Sequence, residues 1–288
     1  MVNFFEHLRD NLHFNKFSLD NLLCVEYSCP LKEVEVGIWA QTDHIIYVLS
    51  GKKSWRTLQG TFEVNEGDTV YIKKGAAFIK QFFDDDFCML AFFLTDDLIR
   101  DALKDLKADL STDFSEDMDF HLVYVKDNNL LNSYFQGILH HFQNKVKPMD
   151  TLLELKFKEL IINIIIGNQN PQLTRYFLDI AKSTLPPLSY LMEQNYCYNL
   201  SLEEFAKLCH RSLSSFKRDF QEHYQTTPGK WLISKRLERA ALLLNDDALN
   251  VAEVAYQCGF KDNSHFGRTF KEKFGKTPLD FRNSLKLV

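Results

Sequence analysis

The chain has 288 residues and a formal net charge of −5 at pH 7; 45% of its residues are hydrophobic and 25 are Phe. This length favours two domains, and the apolar content can fill sizeable cores. A membrane-spanning or secreted protein is not expected, because the apolar run at 160–167 is short and contains Asn163, and the N-terminus lacks a basic region followed by an apolar one.

The cysteines bear on the class of protein. Their spacing does not match metal-ligand motifs, and two of them fall in predicted helices. We therefore expect reduced, mostly buried thiols in a cytoplasmic protein, at Cys24, Cys29, Cys88, Cys197, Cys209 and Cys258. No metal and no cofactor is predicted.

Residues 1–95 have the pattern of a β domain. Seven short runs with alternating, β-branched or aromatic residues lie between residues 33 and 93, and turns such as Ser50-Gly51 and Lys74-Gly75 separate them. Strands at this spacing predict a small barrel or jelly roll. The run from Val48 to Phe78, which begins VLSGKKSW, resembles the cupin-like sensor domains that precede AraC-type DNA-binding domains.

A catalytic cupin would need several His and a Glu around one metal. Here His44 alone lies in the relevant strands, and Phe78 stands where the second cupin motif usually brings a His. We therefore predict no catalytic residues and no enzyme. An effector pocket remains possible on this pattern, and so does a fully packed core made of the same side chains, which are Trp39, His44, Tyr47, Trp55, Tyr71 and Phe78.

Residues 96–182 are predicted to be helical. Asp96, Asp97 and Asp101 favour the start of one helix, and residues 128–142 form another. The run DTLLELKFKELIINIIIG then carries a wide apolar stripe at helical spacing. Such a stripe can pack on the barrel and on a second subunit together. The resemblance to AraC-type regulators, in which helices at this place pair two subunits, implies dimerisation, with an intramolecular core helix as the alternative on the pattern alone. The predicted dimerisation residues are Leu153, Phe157, Leu160, Ile161 and Ile164.

One pattern occurs twice between Ser201 and Asn283. Its positions match at an offset of 49 and then of 50 residues, as in Ala206/Ala255, Cys209/Cys258, Phe216/Phe266, Arg218/Arg268, Phe220/Phe270, Pro228/Pro278 and Trp231/Phe281. The offset changes in a predicted turn, where an insertion costs least. Each copy predicts a helix, a tight turn and a second helix that begins at Ser212 or Asp262. This is the pattern of a helix-turn-helix.

The second copy, VAEVAYQCGFKDNSHFGRTFKEKFGKTPLDFR at 251–282, resembles the signature segment of the AraC/XylS transcription regulators, and the resemblance extends over residues 185–284. It implies a bacterial, sequence-specific DNA-binding activator with two recognition helices. The predicted fold is thus α+β in two domains: a cupin-like β-barrel or jelly roll (1–95) with a helical dimerisation region (96–182), then an all-α tandem helix-turn-helix domain (183–288).

The same resemblance implies partners. Double-stranded promoter DNA, RNA polymerase and a second copy of the chain are expected, and no membrane. Residues 185–288 carry 15 Lys and Arg against 12 Asp and Glu, whereas residues 1–184 carry 19 against 27, so the positive charge lies in the DNA-binding half. Control is predicted to come from a small molecule at the β domain; the alternative is a protein partner, as in the regulators of type III secretion.

The residues predicted to contact DNA lie on the second helix of each copy. Arg218 and Arg268 are favoured for base reading because a guanidinium can donate two hydrogen bonds to guanine. Lys217, Lys261, Lys271 and Lys273 suit phosphates. The predicted DNA-binding set is Ser214, Ser215, Lys217, Arg218, Asn263, Ser264, His265, Arg268 and Lys271.

Overall fold

The computed structural model describes residues 1–28, 35–82, 86–104, 120–126, 129–166, 169–182, 187–246 and 248–285. The chain divides into two compact units, residues 2–186 and residues 187–288. We describe each unit by itself. Within the described residues, no helix is long and apolar enough to cross a membrane.

The first unit is built on two β-sheets. Its strands are β1 (Val2–Asn3), β2 (Asn15–Leu19), β3 (Leu22–Ser28), β4 (Glu35–Ala40), β5 (Asp43–Ser50), β6 (Lys52–Thr57), β7 (Gly60–Asn65), β8 (Thr69–Ile72), β9 (Gly75–Gln81), β10 (Cys88–Leu94) and β11 (Leu122–Tyr124). One sheet has the strand order β1-β4-β9-β6-β7, and the other has the order β11-β8-β5-β10-β3-β2. Except for the parallel pair β1–β4, the strand pairs are antiparallel.

Both faces of the second sheet are covered. Along β5, Ile46 and Val48 point into the core between the sheets, while Ile45 and Tyr47 point to a second core. Helices form the other side of that second core: α2 (Asp96–Leu103), α3 (Asn129–Gln143), α4 (Asp150–Ile166) and α5 (Pro171–Lys182). This two-sided burial explains why the strand carries apolar residues at successive positions rather than alternating ones.

The seven predicted strand runs correspond to β4 through β10, and the sheets form the two-layer alternative of the prediction. Strands β1 to β3, helix α1 (Phe4–Asp10) and strand β11 were not predicted. Helix α1 buries Phe4, Phe5 and Leu8 in the core between the sheets. Strand β11 lies in the segment predicted as helical, and the helices of that segment share one core with the sheet, so the segments 1–95 and 96–182 pack together as a single unit.

The second unit is helical. Its elements are α6 (Leu188–Asn195), α7 (Leu202–Leu208), α8 (Leu213–Tyr224), α9 (Pro228–Leu243), α10 (Val251–Gln257), α11 (Asn263–Phe274) and α12 (Pro278–Leu285). Capping boxes begin α7, with Ser201 and Glu204, and α10, with Asn250 and Glu253. Four residues separate α7 from α8 and five separate α10 from α11, so the change of offset does fall in the turn.

The duplicated sequence folds into duplicated packing. Trp231, at the start of α9, meets the ring of Phe220 edge-on at 5.8 Å, and Phe281, in α12, meets Phe270 in the same way at 5.4 Å. Phe220 and Phe270 are fully buried. The predicted repeat is therefore confirmed in three dimensions. In the first helix-turn-helix α9 packs on the buried face of α8, and in the second α12 packs on the buried face of α11.

Candidate nucleic-acid interface

Helix α8 has one buried and one exposed face. The side chain of Ser212 accepts a hydrogen bond from the main-chain N–H of Ser215 and caps the helix, as predicted. Phe216 and Phe220 are fully buried. The exposed face carries side chains at spacings of three, four and seven residues from the first, namely Ser214, Lys217, Arg218 and Gln221.

Helix α11 repeats this arrangement. Asp262 caps it by accepting from the main-chain N–H groups of Ser264 at 2.6 Å and His265 at 2.9 Å. These hydrogen bonds, His265 first and then Ser264, lower the pKa of the Asp262 carboxyl. The residues equivalent to the exposed face of α8 are Ser264, Gly267, Arg268 and Lys271, of which Gly267 is half-buried and the others are exposed.

The two arginines differ in their surroundings. Nη2 of Arg218 lies 3.2 Å from Asp219 and 3.3 Å from the hydroxyl of Ser215, and the side chain of Arg218 is 75% exposed. Asp219 also accepts from Nε of Arg211 at 3.0 Å, and this bond is the main cause of its lowered pKa. Because the Arg218 pair is exposed, it contributes little stability and leaves Arg218 able to turn towards a base. Arg268 is exposed and forms no ion pair with any residue that the structure describes.

The remaining predicted contacts are less favourable. Ser215 is half-buried and binds Asp219 and Arg218. His265 is half-buried, with its ring 5.9 Å from that of Phe260. Asn263 is exposed at the first turn of α11. Gln221 was not among the predicted contacts, although the 50-residue offset pairs it with Lys271 and could have identified it.

Lys273 does not fit the phosphate role predicted for it. Its ammonium donates to the carbonyl and the hydroxyl of Ser234, at 3.1 and 2.7 Å, and lies 2.7 Å from the carboxylate of Glu238. These bonds hold α11 against α9. Since three acceptors already surround the ammonium, Lys273 serves the packing of the domain.

Comparison with known proteins bears on both halves of the chain. Residues 43–176 match the family described as ExsA N-terminal regulatory domain, and residues 205–284 match a helix-turn-helix domain. The second match spans α8 and α11, which carry the repeated exposed face. The chain belongs to the AraC/XylS family of transcription regulators.

The relatives of this AraC/XylS regulator include two proteins named as transcriptional regulators. The virulence regulon transcriptional activator VirF of Yersinia enterocolitica is 22% identical over 267 residues, which cover 91% of this chain and 95% of VirF. The HTH-type transcriptional regulator ExsA of Pseudomonas aeruginosa is 26% identical over 149 residues, covering 52% of this chain and 53% of ExsA. A crystal structure of apo ToxT from Vibrio cholerae is 13% identical, covers 93% of this chain and 98% of ToxT, and has a TM-score of 0.47. The chain is a DNA-binding transcription regulator, as VirF and ExsA are by name, and not an enzyme.

The six residues predicted to line an effector pocket do not share one cavity in this AraC/XylS regulator. Tyr71 packs against Phe177, and Tyr47 stacks on Phe135, so both face the helices. Trp55 lies in the core between the sheets, where it lines a cavity of about 50 Å³. The other three are buried: Trp39 in β4, His44 in β5 and Phe78 in β9. The alternation of each strand is what separates them.

His44 is positioned by packing. Its ring lies 5.4 Å from that of Phe93 and 5.5 Å from that of Phe4, and burial lowers its pKa to about 3. Within the described part of the chain, no cluster of three or more His, Cys, Asp or Glu side chains could hold a metal ion.

The residues predicted for dimerisation are buried within the chain. Leu153, Phe157, Leu160, Ile161 and Ile164 are each at most 1% exposed and belong to the core that α4 shares with the second sheet. Phe157, for example, meets Phe92 of β10 edge-on at 5.9 Å. The intramolecular alternative is therefore correct for these five side chains. Pairing of two subunits through another face of α4 stays a prediction.

Proposed function

We propose that this protein is a homodimeric transcription activator that binds a bipartite promoter site and acts with RNA polymerase. The observation that carries the proposal is the repeated exposed face of α8 and α11, with Arg218 and Arg268 at equivalent positions. Helix α9 has 16 residues, or about 24 Å, which suits two recognition helices entering successive major-groove segments. VirF, whose name describes a transcriptional activator, supports activation as the mode of action.

Selection of random duplex DNA by the full-length chain tests DNA reading. We expect two short boxes about 10–10.5 bp apart, centre to centre. Arg218→Ala and Arg268→Ala should each weaken binding by about 1–3 kcal/mol and relax base preference at one position of one box. Arg9→Ala, which removes an exposed arginine of the other unit, is the charge-matched control and should change neither. Absence of any enriched sequence would rule out sequence-specific reading.

For dimerisation we propose the outer face of α4. Leu155 and Ile166 are 56% and 60% exposed, and Leu152 is 39% exposed. With Glu159 and Ile162 these residues recur at alternating spacings of three and four, the spacing of a helix-pairing seam, over about 21 Å. We call the set Leu152, Leu155, Glu159, Ile162 and Ile166 the outer stripe.

A second copy of the chain fits this stripe. Antiparallel pairing about a two-fold axis at Glu159 would bring Leu152 near Ile166 of the partner subunit, and Leu155 near Ile162 of the partner subunit. The charge of Glu159 is balanced on its own helix by Lys156, whose ammonium is 2.8 Å away. Such a contact is isologous, as most homodimer contacts are.

Control of the DNA-binding unit has two candidates. Small-molecule control would need a ligand that fits or opens the cavity at Trp55, of about 50 Å³, or one that binds the open depression of about 430 Å³ beside Asp97, Arg100 and Lys104. The cavity is well below the volume of typical ligand sites, about 300–1,000 Å³, and the depression is wide open and lined largely by charged side chains. Both features favour a protein partner that binds the surface of the first unit. A metabolite library screened by thermal shift separates them: saturable stabilisation by a compound supports the first candidate, and co-purification of a stoichiometric protein from the source bacterium supports the second.

A further inference from the structure

Helix α9 contacts the two helix-turn-helix motifs, α7–α8 and α10–α11, with different parts of its length. Near its start, Trp231 packs on Phe220 of α8. Towards its end, Leu237, Ala240 and Leu244 join the core of α10 and α11. Arg236 lies between these two contacts. Arg236 therefore marks the point at which α9 passes from the first helix-turn-helix to the second.

Arg236 binds the main chain that leads into the first helix-turn-helix, α7 and α8. Its Nε donates to the carbonyl of Tyr196 at 2.6 Å, and its Nη2 donates to the carbonyl of Tyr198 at 2.7 Å. These carbonyls follow the C-terminal end of α6, and that of Tyr198 also accepts from the main-chain N–H of Leu200 at 2.9 Å. Three residues after Tyr198 comes Ser201, which caps α7. A two-pronged bond therefore ties α9 to the entrance of the first helix-turn-helix.

The second helix-turn-helix, α10 and α11, contacts the same segment. Gly259 lies in the turn between α10 and α11 with a φ of +82°. A Cβ atom on it would lie 2.5 Å from the carbonyl oxygen of Cys197 and 3.1 Å from Nε of Arg236. The turn between α10 and α11 thus packs directly on Cys197, the middle residue of the segment 196–198 that Arg236 binds. We call Arg236, Gly259 and the segment 196–198 the junction.

We propose that the junction fixes the orientation of α8 relative to α11 and thereby the spacing of the two DNA boxes, which makes Arg236 a positioning residue for DNA specificity. The inference rests on the proposed reading of DNA by both helices. One added base pair moves the second box by about 3.4 Å and turns it by about 35°. If α9 alone connected the two helix-turn-helix motifs, it could bend and twist to follow such a change. Because both motifs also contact the segment 196–198, they cannot follow it without breaking that contact.

The test measures spacing preference. Boxes selected by the full-length wild-type chain are placed in duplexes whose spacer is shortened or lengthened by one and two base pairs. Wild type should lose about tenfold in affinity for the first change of one base pair, the effect of about one mismatched base pair. Arg236→Ala should lose less than about threefold, and Arg236→Lys, which can reach one carbonyl but not both with a rigid fork, should lie between.

The ratio of the affinity for the selected spacing to that for an altered spacing distinguishes a loss of positioning from a loss of folded protein. A smaller folded fraction weakens binding to every spacing by the same factor, so it leaves the ratio unchanged. Lys235→Ala is the matched control: Lys235 also joins α9 to α6, through Glu193 at 2.8 Å, but by half-exposed side chains and not through the main chain. It should keep the wild-type preference.

Three results would overturn the inference: a wild-type ratio in Arg236→Ala, no spacing preference in the wild type itself, or an equal loss of preference in Lys235→Ala. If Arg236→Ala fails to fold, Arg236→Lys carries the test, and a wild-type ratio in that variant overturns the inference. Failure of the wild type to select any boxes would instead contradict the proposed function, so the two failures are distinguishable.

Discussion

Gly259 lies so close to the main chain of Cys197 that a Cβ atom on residue 259 would be 2.5 Å from the carbonyl oxygen. Its φ of +82° also disfavours any other residue. Gly275, at the end of α11, has a similar φ of +74°, but nothing lies within 4 Å of its Cβ position. A side chain at residue 275 would therefore meet backbone strain alone, whereas one at residue 259 would meet backbone strain and a steric clash with Cys197.

We predict unequal costs for the two alanine substitutions. Gly275→Ala should lower the free energy of unfolding by about 1–2 kcal/mol, the cost of a left-handed residue. Gly259→Ala should cost more than about 3 kcal/mol, because Cys197 belongs to a packed backbone that has to move. Hydrogen exchange of α7 to α12 measures both in the full-length chain. Equal losses would show that the contact at Cys197 is not tight.

The helix-turn-helix half could be predicted almost completely from the sequence, because duplication states each position twice. Phe216 and Phe266 are both fully buried, and each lies beside the next Phe of its own helix, Phe220 or Phe270, so a pattern seen in one copy checks the other. What duplication could not provide is the junction. Arg236 bonds to main-chain carbonyls of residues 196 and 198, which carry no side-chain signature of that role.

The β half shows why side-chain partners are harder to predict than strands. The runs for β4 to β10 were found from their composition, but Tyr47 and Trp55 were grouped as one pocket although they lie in different cores. Which face of a buried strand meets helices and which meets the other sheet depends on long-range packing. For the same reason the periodicity of α4 predicted its length but not which of its apolar stripes points outward.

Dimerisation through the outer stripe predicts that one charge will separate the subunits. Leu155→Glu places a carboxylate at a position that is 56% exposed in the single chain, so the fold should remain intact while the pairing is lost. Sedimentation equilibrium should show a dimer for the wild type and a monomer for the variant. Leu12→Glu is the matched control, since Leu12 is 92% exposed and lies away from α4 in sequence, and it should remain a dimer. A dimeric Leu155→Glu would exclude the outer stripe.

Lysines beside the recognition helices should act differently from the arginines. Lys217 and Lys261 are exposed and are predicted phosphate contacts. Lys217→Ala and Lys261→Ala should each weaken binding to selected and random duplexes by the same factor and reduce the slope of log K against log salt by about one. Lys273→Ala should leave that slope unchanged, because its ammonium is bound by Ser234 and Glu238. A reduced slope for Lys273→Ala would mean that these bonds open on DNA.

Two buried histidines should make the first unit sensitive to acid. Burial lowers the pKa of His44 to about 3, and burial together with the charge of Lys73 lowers the pKa of His121 to about 4, against an ordinary 6.5. Below pH 6.5 the unfolded chain takes up protons that the folded chain excludes. The part of the free energy of unfolding that depends on these two histidines is therefore complete above pH 6.5. It falls as the pH drops towards the lowered pKa values, by about 1.4 kcal/mol per pH unit for each histidine.

Replacing one histidine isolates its share of this loss. His44→Phe keeps an aromatic ring between Phe4 and Phe93 and removes the titrating group, so the slope between pH 6 and pH 4 should fall by about 1.4 kcal/mol per pH unit. Urea unfolding followed by tryptophan fluorescence measures it in a Trp231→Phe background, where the remaining tryptophans, Trp39 and Trp55, both lie in the first unit. His13→Gln, which changes an exposed histidine, should keep the wild-type slope. If His44→Phe keeps it as well, His44 is protonated in the folded protein and its burial does not exclude the charge.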